Sequence, residues 1–180
     1  MARRARSTPE SLAARRAERA ESTDPGPVMD AAASFLAVRP RSIAETTRRL
    51  RQHGYPTDLV ERVIAQLVDL GYLDDAAFAK TWVESRDRAR PRGEMALRRE
   101  LSLKGVPRDV TDEVLAERAE LANEPDLTAA TRLLERRRST LDREQDPVKR
   151  RQKAYALLAR NGFDPDTCRE AALLVLSPSG

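Results

Sequence analysis

Residues able to do covalent or acid–base chemistry are scarce in this chain. The single histidine, His53, stands just before Gly54, where a helix C-terminus would favour its charged form. The single cysteine, Cys168, shares a helical apolar spacing with Ala171 and Ala172 and reads as a small core residue. A lone thiol has no internal disulfide partner, which fits a reducing, cytoplasmic setting. Asp74-Asp75 resembles a metal or acid pair, yet Asp74 is placed to cap a helix and Asp75 to occupy its first turn. No glycine-rich phosphate loop, zinc-spaced Cys/His cluster or serine–histidine pairing occurs, so the sequence predicts a non-enzymatic protein without cofactor or metal. What it offers instead is ionic chemistry. Its 33 Lys+Arg against 29 Asp+Glu leave a net charge of +4. The basic residues cluster as Arg3, Arg4, Arg6 with Arg15, Arg16, Arg19; as Arg86, Arg88, Arg90, Arg92; as Arg136, Arg137, Arg138; and as Lys149, Arg150, Arg151, Lys153.

The elements that hold these charges are predicted to be helices throughout. Leu59, Val60, Val63, Ile64 and Leu67 form one apolar stripe at helical spacing, and Phe78, Ala79, Trp82 and Val83 form another, while no strand-length alternation of β-branched residues is present. Ser42-Ile43-Ala44-Glu45 is a capping box that starts a helix at Ser42. Gly54 and Gly71 suit the left-handed turns that end helices, each followed by a tyrosine able to fold back on Leu50 or Leu67. With 34% charged residues in 180 and only three Phe, three Tyr and one Trp, the cores must be small and aliphatic. A mean hydropathy of −0.62 and the lack of a ~20-residue apolar run exclude a helical membrane span. Met1 to Arg6 precede no apolar segment, and residues 1–28, ending Ser22-Thr23-Asp24-Pro25-Gly26-Pro27, read as a disordered basic tail. A helix starting at Pro9 is expected to be transient, with only Leu12 to bury.

The chain repeats itself. Leu50 to Asp58 overlays Leu101 to Asp109 and Leu158 to Asp166, with Leu, Gly, an apolar residue and Asp recurring; the glycines Gly54, Gly105 and Gly162 lie 51 and 57 residues apart. Ser42 corresponds to Gly93, both acceptable N-caps. Each unit holds three short helices and buries too little surface to be firmly stable alone, so end-to-end stacking into an elongated, curved array is expected. The boundaries fall at 29–75, 76–123 and 124–176, with 177–180 as a disordered end. Third helices of such units would offer their N-termini to DNA, but here those ends carry Asp58 and Glu61, Asp109, Asp112 and Glu113, Asp164, Asp166 and Glu170. Phosphates would be repelled there. Positive charge lies on the preceding helices, Arg48 and Arg99 being equivalent in the repeat, which predicts a basic strip suited to an acidic protein surface or a phosphate backbone.

Gly71-Tyr72-Leu73-Asp74-Asp75, followed by Phe78-Ala79, Trp82, Arg86, Gly93, Leu97, Leu101 and Lys104-Gly105-Val106, resembles the RecX family of bacterial regulators over residues 29 to 176. The resemblance implies tandem three-helix repeats in an extended arc. It also implies binding to the RecA recombinase filament on DNA, in its helical groove, with inhibition of ATP hydrolysis, strand exchange and stimulated repressor cleavage. Contact is expected from Arg86, Arg90, Arg92, Arg98, Arg99 and Lys104, then from Lys149, Arg150 and Arg151. Leu50, Gly54, Gly71, Asp74, Phe78, Trp82, Leu101, Gly105 and Gly162 are expected to maintain the scaffold. A monomer is expected, with direct contact to single- or double-stranded DNA as an added partner. The rival reading is a stand-alone helical DNA-binding protein with no recombinase partner.

Overall fold

A computed structural model describes residues 9–177; Arg3, Arg4, Arg6 and the last three residues, on which the tail expectations partly fall, lie outside the described residues. The described residues form ten α-helices and no strand. These are α1 (Pro9–Ala20), α2 (Gly26–Leu36), α3 (Ile43–Gln52), α4 (Thr57–Asp69), α5 (Asp75–Ala89), α6 (Glu94–Lys104), α7 (Arg108–Leu121), α8 (Pro125–Leu141), α9 (Pro147–Arg160) and α10 (Pro165–Leu176). After α1 they fall into three triples.

Local chemistry sets the helix ends. At the start of α3, the Glu45 N–H donates to the Ser42 hydroxyl (3.1 Å) and the Ser42 N–H to the Glu45 carboxylate (3.5 Å), the predicted capping box. Asp146 and Asp164 cap α9 and α10 through their carboxylates, each ahead of a proline whose missing N–H costs nothing in the first turn. Gly54, Gly71, Gly105 and Gly162 all have positive φ. After Leu67 the return bonds are Gly71 N–H to Val68 O (2.9 Å) and Tyr72 N–H to Leu67 O (2.8 Å), and Gly105 with Val106 repeats them on Ser102 and Leu101.

The chain divides into two compact units that part between Asp75 and Ala76. In the first, Val28, Ala32, Leu50, Leu59, Val60 and Val63 are almost fully buried among α2, α3 and α4. Asp75 belongs to this unit: its carboxylate, buried, accepts the Ile43 N–H at 2.9 Å and so satisfies an orphan donor in the first turn of α3. Burial raises its pKa, and the Ile43 hydrogen bond opposes the rise. Sequence placed Asp75 only in the first turn of its own helix.

Residues 9–20 form α1, in which Arg19 stacks 5.4 Å from the Tyr55 ring centroid and donates to the His53 carbonyl at 3.4 Å, and Arg16 lies against Gly54. His53, read as a partner of the α3 dipole, is the C-cap residue of α3, and its surroundings favour the neutral form. Burial, then Arg49 and Arg19, lower its pKa, and its Nδ1 is buried without a hydrogen-bond partner among the described residues.

The second unit joins two triples. Phe78, Ala79, Val83, Leu97, Leu101 and Val106 form one apolar cluster, and Ala130, Leu134, Ala154, Leu158, Phe163 and Cys168 the core of another. Burial raises the Cys168 thiol pKa, keeping it protonated. Backbone joins the triples directly: the Gly93 N–H donates to the Asn161 carbonyl at 3.1 Å, and a Cβ on Gly93 would strike the Gly162 carbonyl. Beside it, the guanidinium of Arg118, 9% exposed, grips Asp87 through two bonds (2.9 and 2.8 Å) and Asp126 through a third (2.6 Å). Asp126 in turn accepts the Glu94 N–H at 2.8 Å. Arg132 and Arg136 close the C-terminus of α5 by donating to the carbonyls of Asp87, Arg88 and Ala89, each at 2.8 Å.

Candidate partner-binding surface

The residues expected to make contact sort into three sets once placed. Arg86, Arg92 and Lys104 turn inward. Arg86 donates to Glu100 at 2.6 Å and lies 4.2 Å over the Trp82 ring; Arg92 donates to Glu100 at 3.2 Å and to the Asn161 side chain; the Lys104 ammonium sits 4.9 Å over the same indole. The Trp82 N–H completes the cluster by donating to Glu100 at 2.9 Å. Burial alone would raise the Glu100 pKa, but the hydrogen bonds from Arg86 and Trp82, with the charges of Arg86 and Arg92, outweigh it and hold the carboxyl below its ordinary value. These cations brace α5 against α6 and α9, a task their spacing did not reveal. Arg150 is similarly engaged, donating to the Glu144 carbonyl at 2.9 Å and lying 3.8 Å from Asp142.

The second set forms a basic groove. Arg98, Arg99, Ser102, Val106, Arg108, Thr111 and Asp112 line an open cavity of about 760 Å³ between α6 and α7. Arg98 is tethered to Asp112 and, at 2.7 Å, to Glu94, hydrogen bonds that raise its pKa and fix its direction. Arg108 is 93% exposed, and Arg99 is exposed and makes no ion pair among the described residues. Three guanidiniums against the two carboxylates of Glu94 and Asp112 leave a positive excess that can hold a carboxylate or phosphate. Arg99 also stands four residues from Met95 and from Leu103, both exposed, so one face of α6 offers a charge between two apolar side chains. The equivalent Arg48 of α3 is likewise exposed.

The third set, Arg90, Lys149 and Arg151, is exposed and without an ion pair among the described residues. The scaffold residues are placed as follows. Leu50 and Leu101 are buried, Phe78 and Trp82 pack ring to ring at 5.9 Å, and Asp74 directly precedes α5. Sequence reading missed Arg118, with its partners Asp87 and Asp126. The signal was present, since Arg118 continues the core-facing spacing of Thr111, Val114 and Leu115. A charge on an apolar stripe announces a buried, paired charge.

These helices define a class: an all-α chain built from tandem three-helix domains. Family models for the first, second and third three-helix domains of RecX match residues 29–67, 74–115 and 124–172. The Regulatory protein RecX of Prosthecochloris aestuarii is 32% identical over 148 residues, covering 82% of this chain and 93% of that one. The Regulatory protein RecX of Mycobacterium avium is 36% identical over 143 residues, 79% of this chain and 81% of the relative. The chain belongs to the RecX family of regulatory proteins. Its fold matches the crystal structure of RecX from Lactobacillus salivarius with a TM-score of 0.73 at 18% identity, covering 84% of this chain and 96% of the other. No helix among the described residues is long and apolar enough to cross a membrane.

Proposed function

We propose that this protein is a non-enzymatic cytoplasmic regulator that binds, as a monomer, in the groove of the RecA recombinase filament on DNA. Bound there, it inhibits ATP hydrolysis, strand exchange and co-protease activity, and so tempers DNA repair and the SOS response. Family membership across all three domains supports the partner, and the α6 face supports the mode of contact. Arg99 between exposed Met95 and Leu103 carries the proposal, because phosphate satisfies a cation but leaves two apolar side chains wet, whereas a protein surface covers all three. Linked domains making several modest contacts act together through effective concentration. Inhibition follows if they favour one filament geometry, since a ligand shifts an equilibrium only by its differential affinity.

The test is recombinase ATP turnover on single-stranded DNA against increasing concentrations of this protein. Arg99→Glu is expected to raise the half-inhibitory concentration roughly tenfold with unchanged helical circular dichroism, the effect of reversing one interfacial charge. Unchanged inhibition removes Arg99 from the contact. Tight binding to bare DNA with a steep salt slope and no effect on turnover would establish the stand-alone DNA-binding reading instead.

A further inference from the structure

The third triple carries a second groove, whose rim includes Arg150 and Arg151, two of the residues expected to contact the recombinase. Arg151, Gln152, Tyr155, Arg169, Ala172 and Leu173 enclose about 530 Å³ between α9 and α10, with walls of carbon almost throughout. A smaller lobe of about 140 Å³ continues it past Arg150 to Pro147 and Leu176. Leu173 is 55% exposed although it lines both lobes. The rim is cationic: Arg151 has no ion pair among the described residues, and Arg169 pairs only with Asp166 of its own helix. Among the described residues, no carboxylate lines either lobe.

We propose that the α9–α10 groove docks an acidic amphipathic helix from a partner protein, with leucine-like side chains entering the slot and Asp or Glu residues meeting Arg151 and Arg169. Charge and shape together select this occupant. A nucleic acid would neutralise the arginines and leave Leu173 and Tyr155 in water. A second copy using the same face would bring the arginine rims onto each other, since an isologous contact pairs a patch with itself. An anionic membrane suits a protruding apolar face and cannot fill a slot between two helices. A helix suits it: α9 and α10 have 14 and 12 residues, about 18–21 Å at 1.5 Å per residue, so a partner of three turns presents anchors at i, i+4 and i+7.

The experiment selects displayed random 15-residue peptides on the full-length protein and measures the enriched peptides by fluorescence anisotropy. Enriched peptides should be acidic, with large apolar residues three or four apart. Leu173→Glu and Leu173→Ser should each weaken binding at least tenfold with unchanged circular dichroism. Arg151→Glu with Arg169→Glu should transfer preference to peptides whose acids are replaced by lysine. The proposal fails if no peptide is enriched, if enriched peptides lack acids, or if binding survives both Leu173 variants. It also fails if Leu173 variants instead abolish self-association or phosphatidylglycerol-vesicle binding while peptides do not bind.

Discussion

Among single residues, Glu100 shows how a charge can be surrounded by cations and still serve the fold. Its carboxylate takes hydrogen bonds from Trp82, Arg86 and Arg92, so the contact of α5 with α6 and the connection between them depend on its remaining ionised. Because its folded-state pKa lies below the ordinary 4.5, the unfolded chain takes up the proton first as pH falls. Its stabilisation is therefore complete above about 4.5, declines below that value, and is gone once the folded carboxyl is protonated. Glu100→Gln should be the less stable protein at pH 7, and the gap in urea midpoint should close on acidification below about pH 4.5. A gap constant from pH 7 to pH 3 would mean that packing of the side chain, not its charge, supports the cluster.

At the level of elements, the two ends of α6 need glycine for different reasons. Gly105 adopts φ 77° at the C-terminus, where an L side chain is strained, and Gly105→Ala should destabilise by about 1 kcal/mol. Gly93 has an ordinary φ of −74°, and the repeat equates it with Ser42, so backbone preference alone predicts a harmless substitution. Its neighbours say otherwise. A Cβ there would meet the Gly162 carbonyl and come within 2.5 Å of the Phe163 nitrogen, and backbone held in a turn cannot step aside. Gly93→Ala should thus cost more than Gly105→Ala, about 2–3 kcal/mol as for other overpacked sites. Urea denaturation of both variants checks the order, and equal losses would contradict the close approach. Ser42 caps with its hydroxyl; Gly93 leaves that space for the α9–α10 corner.

For the molecule as a whole, helices, stops and repetition were legible because they are written locally: the Ser42 capping box, the glycine turns and the stripe from Leu59 to Leu67 each lie within a few residues. What joins the triples was not legible, because it depends on residues distant in sequence. Arg92 reaches Asn161 across 69 residues, and Arg132 reaches the Asp87 carbonyl across 45. The same distance hid which arginines remain free for a partner, so Arg86 and Arg92 looked equivalent to Arg99. A shared ionic junction has a consequence for cooperativity. Arg118→Met keeps most of the apolar stem but strands Asp87 and Asp126, and breaking a buried pair in this way should cost about 3 kcal/mol. In the native protein, the amides of Leu97 and Leu101 and those of Leu134 and Leu158 should exchange with deuterium through one common opening, since the junction couples the cores that bury them. In Arg118→Met the two groups should separate into distinct opening free energies. If they already differ in the native protein, the Arg118 junction does not make the two triples a single cooperative unit.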